Sequence, residues 1–417
     1  MSAAILTIGT ELTRGELVDS NSAWLSDRLT AQGIEVLEHI SVDDDPDRIA
    51  GTLQRLSTVH SWVFVTGGLG PTTDDLSALS AARAMGVELS RRAELIARLE
   101  TLYSARGRTL TEVSRKQADL PIGARVLDNP IGTAPGFSVI LGECLFFFMP
   151  GVPREMKAIF QNVLSELPTK AGRTQTHLRT YGIPESELGQ RLQDIESLIP
   201  GVTLGYRASF PEVEVKVLAE ASTDTEAQGL AARASSLVSE RLGSFIYGGR
   251  ADSFASVTGG VLQKAGLTLA VAESCTGGGI ASLLTDVPGS SSFFLLGAVT
   301  YANSAKSDVL DVDPALIEAN GAVSEEVALA MAKGVMKRAG SDLSISVTGI
   351  AGPGGGTEEK PVGTVWFGAC RGEEHHTICV RFHGDRSRVR RGASFFALNA
   401  LKNMAQGYDS KEFFAVG

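Results

Sequence analysis

Two adjacent nucleophilic side chains, Ser274 and Cys275, stand between an apolar segment and three glycines in V-A-E-S-C-T-G-G-G-I-A-S, residues 271–282. A serine hydroxyl attacks a carbonyl carbon only when a base removes its proton. Glycines let a substrate approach backbone N–H groups, and such groups at a helix start stabilise an oxyanion or a phosphate. The segment predicts either an active site or, on the simpler interpretation, a serine that caps the following helix.

The base for Ser274 must come from elsewhere in the chain, because no histidine lies near it in the sequence. The segment V-T-Y-A-N-S-A-K-S (299–307) offers Tyr301 and Lys306. A lysine whose pKa is lowered by burial can act as a base, and serine–lysine pairs are a known variant of the catalytic triad. The alternative is that Lys306 is a solvated helix residue and Tyr301 a half-buried packing residue.

Two further segments have a composition suited to phosphate. The loop V-T-G-I-A-G-P-G-G-G-T-E-E-K-P-V-G-T-V (347–365) holds more glycines than a turn needs, so its backbone could pass close to a ribose phosphate. The segment F-H-G-D-R-S-R-V-R-R (382–391) concentrates four arginines in a chain whose net charge is -10. One or more of these arginines could bind a phosphate, and a solvated helix face is the alternative for the rest.

Three polar, glycine-rich segments follow predicted strands in the N-terminal part of the chain: residues 8–21, 66–77 and 120–137. Ligands of parallel sheets bind at that edge. In the second segment, Gly67, Gly68 and Gly70 could direct N–H groups at an anion, and Asp74 and Asp75 could bind a divalent ion that bridges phosphates. The alternative is a glycine-rich turn with a helix-capping aspartate.

The elements that would position these segments alternate between strand and helix. For the first domain we predict strands at 3–8, 34–39, 62–66, 135–141 and 144–149 and helices at 20–33, 46–58 and 151–168. This alternation indicates an α/β fold with a parallel sheet. Alternating, half-exposed strands then indicate a small α+β module, and a second α/β unit begins near residue 253.

Composition limits the number of domains, the classes of ligand and the location that we expect. A chain of 417 residues suggests two or three domains, and its negative charge disfavours binding to nucleic acid or to anionic membranes. Its four cysteines form no C-x-x-C pair, so neither a zinc site nor a disulfide framework is expected. No apolar run reaches membrane-spanning length and the N-terminus is typical of a strand, so we expect a cytoplasmic protein.

The motifs resemble those of the competence/damage-inducible protein A (CinA) family over the whole chain. G-T-E-L…D-S-N, G-G-L-G-P-T-T-D-D and P-G-V-P-R-E-M (150–156) resemble its molybdopterin-binding-type domain. A-E-S-C-T-G-G, V-T-Y-x-N-x-A-K, G-I-A-G-P-G-G-G-T-x-x-K-P-V-G-T-V and G-D-R resemble its C-terminal domain. The resemblance implies a molybdopterin-binding-like sandwich at 1–170, a KH-like α+β module at 173–250 and a CinA-type α/β domain at 253–413.

For the C-terminal domain the resemblance implies a nicotinamide mononucleotide (NMN) deamidase without a cofactor. Ser274 would be the nucleophile, Lys306 its base and Tyr301 an assisting residue. The oxyanion would be bound by Thr348 and by the N–H groups of Thr276, Gly277 and Gly278. The ribose phosphate would be bound by Gly352, Gly354, Gly355, Gly356, Thr357 and Arg386. Cys275 is interpreted as a small buried residue rather than a second nucleophile.

For the N-terminal domain the resemblance implies an ADP-ribose pyrophosphatase that yields AMP and ribose 5-phosphate. Asp74 and Asp75 would bind a divalent metal ion (Mg, Mn or Co), with potassium as a candidate second ion. The substrate would contact Gly9, Glu11, Asn21, Gly67, Gly68, Gly70, Pro71, Thr72 and Gly132. The KH-like module has no G-x-x-G loop, so we interpret it as a spacer or a homodimer contact.

The leading hypothesis is therefore a bifunctional enzyme of pyridine-nucleotide salvage, since both substrates arise when NAD is broken down. A competence or DNA-damage accessory protein that binds a nucleotide or a pterin without turnover is the alternative. A third hypothesis is a pterin-binding domain fused to an amidase.

Overall fold

The computed structural model describes residues 2–167 and 172–416. The chain forms two compact units, residues 1–174 with 222–224 and residues 175–221 with 225–417. The predicted end of the helix at 151–168 and the predicted end of the first domain, at 170, lie outside the described residues. No helix among the described residues has both the length and the apolar character needed to cross a membrane.

The first unit follows the predicted alternation of strand and helix. Its strands are β1 (Ser2–Ile8), β2 (Glu35–Val42), β3 (Trp62–Thr66), β4 (Leu89–Arg91), β5 (Asp119–Pro121), β6 (Arg125–Leu127), β7 (Gly136–Leu141) and β8 (Cys144–Met149). Its helices are α1 (Thr10–Thr13), α2 (Ser20–Ala31), α3 (Pro46–Ser57), α4 (Ser77–Met85), α5 (Ala93–Ala105), α6 (Glu112–Arg115) and α7 (Pro153–Glu166).

The main sheet of the first unit has the strand order β2-β1-β3-β8-β7-β6. The first four strands are parallel, as predicted, whereas β7 and β6 are antiparallel additions. Two residues, Gly142 and Glu143, join β7 to β8, and a connection this short permits only an antiparallel pair. Both faces are buried: Ala4 and Leu6 of β1 face one apolar core, and Ala3 and Ile5 face another.

The second unit begins with a four-stranded sheet of order β10-β11-β9-β12. Its elements are β9 (Arg173–Tyr181), α8 (Glu185–Leu192), α9 (Ile195–Leu198), β10 (Val202–Ser209), β11 (Glu212–Glu220), α10 (Asp224–Leu242) and β12 (Ile246–Gly248). We refer to these residues, 173–248, as the middle module. Strand β11 alternates as a half-buried strand does: Val215, Val217 and Ala219 are buried in the apolar core of this module, and the residues between them are less buried. Strands β9 and β10 do not alternate, and most residues of β10 are exposed or partly exposed.

The rest of the second unit is an α/β domain. Its strands are β13 (Leu269–Glu273), β14 (Phe294–Val299), β15 (Leu343–Gly349), β16 (Thr364–Arg371) and β17 (Glu374–Arg381). Its helices are α11 (Phe254–Ala265), α12 (Gly279–Thr285), α13 (Asn303–Leu310), α14 (Pro314–Asn320), α15 (Glu325–Ala339) and α16 (Arg386–Ala405).

The sheet of this domain has the order β14-β13-β15-β16-β17. Strands β14, β13 and β15 are parallel, and β16 and β17 are antiparallel. Because β13 and β15 are parallel neighbours, their carboxyl ends lie at one edge of the sheet. The Ser274 segment and the glycine-rich loop therefore leave the sheet side by side.

Candidate functional site

Ser274 is the first residue after the buried strand β13. Its amide donates a hydrogen bond of 2.9 Å to the carbonyl oxygen of Val347 in the neighbouring strand β15. Only 9% of its surface is exposed. The sheet thus fixes the backbone of Ser274 and leaves its hydroxyl at the carboxyl edge, where ligands of parallel sheets bind.

Lys306 lies next to Ser274 and is almost wholly buried, with 1% of its surface exposed. Helix α13 carries it, and its Nζ donates to Ser274 Oγ at 3.3 Å and to the carbonyl oxygen of Thr300 at 2.8 Å. Burial disfavours the charged ammonium and lowers the pKa of Lys306. The neutral amine can accept a proton from Ser274, so these two residues have the geometry of a nucleophile and its base.

The turn that follows Ser274 differs from its prediction. Gly277 and Gly278 adopt left-handed conformations, with φ of 61° and 89°, and α12 begins only at Gly279. The Gly277 amide, predicted to bind the oxyanion, instead donates to the Ser274 carbonyl at 3.1 Å. Gly278, not Ser274, is the N-cap residue of α12, which removes the simpler interpretation of the serine.

The N-terminus of α12 is occupied by the protein's own carboxylate. Glu273 is fully buried, and its side chain accepts hydrogen bonds from the amides of Ile280 at 3.1 Å and Ala281 at 2.8 Å. Sequence reasoning gave Glu273 no role, although an acid at the end of an apolar strand was a signal. Glu273 fixes the start of α12 relative to β13 and therefore shapes the turn around Ser274.

Two hydroxyl groups near this pair are buried and have no hydrogen-bond partner within residues 2–167 and 172–416. They belong to Thr276, two residues after Ser274, and to Thr300, whose carbonyl oxygen binds Lys306. A buried polar group without a partner is costly unless a ligand or water satisfies it. Thr276 was predicted to contribute only its amide, and Thr300 was missed.

Thr348 lies at the end of β15 and is buried, but its hydroxyl is already committed. It donates a hydrogen bond of 2.7 Å to the carbonyl oxygen of Ala322. The hydroxyl proton that would be donated to an oxyanion is therefore donated to Ala322 instead, so the predicted oxyanion role does not fit this side chain.

Tyr301 and Arg386 form a second hydrogen-bonded group, which is linked to the glycine-rich loop. Arg386 donates to the Tyr301 hydroxyl at 2.9 Å through one nitrogen and to the Gly352 carbonyl at 2.9 Å through another. Tyr301 is 60% exposed, so it is not the half-buried packing residue of the alternative. The geometry links Tyr301 to the predicted phosphate residues rather than to Lys306.

The glycine-rich loop is held at both ends and exposed in the middle. Gly354, Gly355, Gly356 and Thr357 are exposed, whereas Gly352 is buried with φ of 84°. Further along the loop, Lys360 Nζ donates to the carbonyls of residues 320 and 323 at 3.0 and 2.8 Å. The exposed backbone between these anchors is accessible to a ligand.

The other three arginines of the basic segment have partners within the protein. Arg390 donates to the Thr276 carbonyl at 2.8 Å, Arg388 stacks on the ring of Phe210, and Arg391 donates to the Phe210 carbonyl. They are therefore not simply a solvated helix face, and Arg386 is the one that contacts the glycine-rich loop.

Burial raises the pKa of Cys275 to about 12, which keeps the thiol protonated and disfavours it as a nucleophile.

The first unit has a cavity of about 560 Å³ at the carboxyl edge of β1 and β3. Eight of the predicted residues line it: Gly9, Glu11, Asn21, Gly67, Gly68, Gly70, Asp74 and Asp75. The loops after β1 and β3 meet closely, since a Cβ on Gly67 would stand 2.1 Å from the Ile8 carbonyl oxygen. Pro71, Thr72 and Gly132 do not line the cavity.

Thr72 and Gly132 have other positions. The Thr72 hydroxyl contacts both Asp74 and Asp75, and its amide donates to Asp75 at 2.8 Å. The hydrogen bond from Thr72 is the main cause that lowers the pKa of Asp74. Gly132 packs against Glu155 so closely that a Cβ would stand 1.9 Å from Glu155 Oε2.

The cavity is strongly acidic. Its lining includes no lysine, arginine or histidine. Six carboxylate residues line it: Glu11, Asp19, Asp44, Asp74, Asp75 and Glu155. Sequence reasoning missed Asp19, Asp44 and Glu155. Within the described ranges no three His, Cys, Asp or Glu side chains converge closely enough to bind a metal by themselves. This donor set fits a divalent ion that is bound by one or two carboxylates and completed by substrate phosphates.

Comparison with known proteins agrees with this organisation. The family models described as "Probable molybdopterin binding domain", "Damage-inducible protein CinA KH domain" and "CinA C-terminal domain" match residues 4–169, 175–248 and 251–405. A CinA-like protein of Geobacter metallireducens is 41% identical over 414 residues, covering 96% of this chain and 98% of that protein. A CinA-like protein of Citrifermentans bemidjiense is 44% identical over 410 residues, covering 96% and 97%.

Among solved structures, the protein CinA "with unknown function" from Thermoplasma acidophilum is 32% identical, with a TM-score of 0.38, and covers 40% of this chain and 96% of that one. The resemblance inferred from the motifs is confirmed by the sequence matches. They extend over nearly the full length of the relatives and this chain, so the chain belongs to the CinA family.

Proposed function

We propose that the C-terminal domain is an amidase that hydrolyses the carboxamide of NMN to nicotinate mononucleotide and ammonia. The observation that carries this proposal is the buried pair of Ser274 and Lys306, whose Oγ and Nζ atoms are 3.3 Å apart. A serine beside a buried amine suits acyl transfer. The choice of NMN rests on the motif resemblance and on the adjacent set of Arg386, Tyr301 and exposed glycines, which suits a ribose phosphate.

In the proposed reaction, the neutral amine of Lys306 takes the proton of Ser274 as Oγ bonds to the carboxamide carbon. The carbonyl electrons move to oxygen, and the resulting tetrahedral intermediate collapses when Lys306 gives the proton to the amide nitrogen. The C–N bond breaks, ammonia leaves and an ester remains on Ser274. Lys306 then deprotonates a water molecule, and the resulting hydroxide attacks the ester. Nicotinate mononucleotide is released as Lys306 returns the proton to Ser274 Oγ.

We assign the hydroxyl of Thr276 to the reacting carboxamide, because it is buried, unpartnered and two residues from the nucleophile. In this role it takes the place predicted for Thr348, whose hydroxyl donates to Ala322. A preorganised donor of this kind stabilises the charge that develops on the oxyanion.

The test is ammonia release from NMN by the full chain and by Ser274→Ala. We expect release by the parent and a loss of about 10³-fold or more in the variant, since the nucleophile is absent. Ser282→Ala, an exposed serine of α12, is the matched control, and we expect it and Cys275→Ala to keep most activity. Tight NMN binding without ammonia release by the parent would instead favour the accessory-protein hypothesis.

We further propose that the first unit hydrolyses ADP-ribose to AMP and ribose 5-phosphate with a divalent metal ion. The supporting observation is the acidic cavity, whose six carboxylates would repel a pyrophosphate unless cations lay between them. Asp74 and Asp75 are the residues we expect to bind the ion. When bound, the ion would neutralise phosphate charge and polarise the P–O bond. The homodimer and the cytoplasmic location remain predictions.

A further inference from the structure

Helix α16 holds both loops of the C-terminal site by residues of its first two turns. Arg386 donates to the Gly352 carbonyl and to the Tyr301 hydroxyl, each at 2.9 Å. Arg390, one turn further, donates to the Thr276 carbonyl at 2.8 Å. Residues four apart lie on one face of a helix, so this face of α16 sets the spacing between the turn after Ser274 and the glycine-rich loop.

The same two turns also contact the middle module. The guanidinium carbon of Arg388 lies 3.8 Å from the centroid of the Phe210 ring, and Arg391 Nε donates to the Phe210 carbonyl at 2.6 Å. Phe210 is at the tip of the hairpin between β10 and β11. A guanidinium stacked on an aromatic face is held by electrostatic attraction and by contact area. Two arginines thus tie α16 to a single residue of the hairpin.

The approach of the hairpin to α16 is close and local. A Cβ on Gly392 would stand 3.3 Å from Phe210 Cζ and 2.8 Å from Phe382 Cδ1, so the helix has no room for a side chain there. A cavity of about 670 Å³, lined in part by Phe210, Arg388 and Gly392, opens beside this contact. The hairpin tip therefore has no packing on the side of the cavity, and we expect one substitution at Phe210 to loosen its contact with α16.

We propose that Phe210 of the middle module is a positioning residue for the C-terminal site and acts through Arg388 and Arg391 of α16. The inference rests on the proposed amidase function. Phe210 touches neither Ser274 nor Lys306, which are held by β15 and by Thr300. It fixes the start of the helix, which carries Arg386 and its contacts with Gly352 and Tyr301, so it contributes to substrate binding rather than to bond cleavage.

Loss of the Phe210 ring leaves the middle module attached elsewhere. Tyr181 of β9 packs against Phe254 and Phe395 of the C-terminal domain, with ring centroids 4.7 and 6.2 Å apart. A Phe210→Ala variant is therefore expected to stay folded, and its thermal unfolding midpoint serves as the check.

The experiment compares steady-state NMN hydrolysis by the full chain and by Phe210→Ala. We expect KM to rise about tenfold while kcat changes by less than about threefold. The reason is that the substitution disturbs the contacts of Arg386 with the predicted phosphate residues and leaves the Ser274–Lys306 pair in place. Phe210→Tyr keeps the ring and should restore the parent KM. Arg388→Gln should raise KM similarly, and the double variant should be no worse than either single one. Tyr206→Ala, which removes a ring from β10, the strand that precedes Phe210, is the control.

Hydrogen exchange separates failure of this proposal from failure of the proposed function, because it needs no turnover. We expect the amides of the glycine-rich loop, residues 350–357, to exchange faster in Phe210→Ala than in the parent, and at parent rates in Phe210→Tyr. Faster exchange in a chain that releases no ammonia would retain the positioning role and overturn only the amidase. Unchanged exchange, or an unchanged KM in an active enzyme, would overturn the positioning role.

Discussion

Lys306 determines how the proposed reaction depends on pH, because only its neutral form can accept the proton of Ser274. Burial lowers its pKa, so the neutral fraction rises with pH through that lowered value and is constant above it. We expect kcat/KM for NMN to rise with pH and then to level off on the alkaline side. Lys306→Met keeps the length of the side chain but removes the base, and we expect a loss of about 10²- to 10⁴-fold.

The measurement is a pH–rate profile of the parent beside the activity of Lys306→Met. Lys333→Met removes a lysine from α15, outside the Ser274–Lys306 pair, and controls for the loss of one positive charge. A profile that falls across the alkaline range, or a fully active Lys306→Met, would show that another group serves as the base.

Tyr301 offers a test between two roles for one hydroxyl. If it positions Arg386, as the hydrogen bond of 2.9 Å between them indicates, Tyr301→Phe should raise KM for NMN by about three- to tenfold. Its kcat should stay near the parent value, because Lys306 retains its contact with Ser274. A fall in kcat without a change in KM would support the assisting role that the sequence suggested.

At the scale of secondary structure, the start of α12 depends on the buried carboxylate of Glu273. It accepts two amide hydrogen bonds, and an anion at a helix N-terminus also interacts favourably with the helix dipole. Glu273→Gln turns one acceptor into a donor that faces an N–H group. We expect the free energy of unfolding to fall by about 1–3 kcal/mol. Urea denaturation measures it, and Glu373→Gln in the exposed turn between β16 and β17 should leave stability unchanged.

The secondary structure of the site was largely predictable, because local periodicity determines it. The predicted strands at 3–8 and 62–66, for example, are found at Ser2–Ile8 and Trp62–Thr66. The hydrogen-bond and stacking partners of individual polar side chains were not predictable. Nothing near Thr348 in sequence shows that its hydroxyl donates to Ala322, 26 positions away, and nothing near Arg388 identifies Phe210 as its partner. Such contacts depend on how distant segments fold together.

At the scale of the whole molecule, the same limit applies to sheet topology. The motifs were sufficient to predict the family and the three kinds of domain, since long ordered motifs rarely match by chance. The antiparallel strands were not predicted from the strand–helix alternation, although the two-residue link at 142–143 contained the signal for β7 and β8. In the C-terminal domain, β16 and β17 are joined by residues 372 and 373, which gives the same short-link signal.

The two units each have their own cores and their own candidate site, so their activities should respond separately to damage. Chelation with EDTA should abolish ADP-ribose cleavage and leave ammonia release from NMN unchanged, because only the first site is proposed to need a metal. Asp74→Asn combined with Asp75→Asn should likewise lower ADP-ribose cleavage by at least about 10²-fold, and Ser274→Ala should not affect it.

The readouts are AMP formation and ammonia release, measured on the same preparation of the full chain before and after chelation. Asp47→Asn, an exposed carboxylate of α3 outside the cavity lining, is the control for the lost charge. Restoration of AMP formation by added Mg²⁺, Mn²⁺ or Co²⁺ in the parent but not in the double aspartate variant would support the metal assignment. AMP formation that persists in EDTA would contradict it, because the chelator removes the divalent ion that the proposed reaction requires.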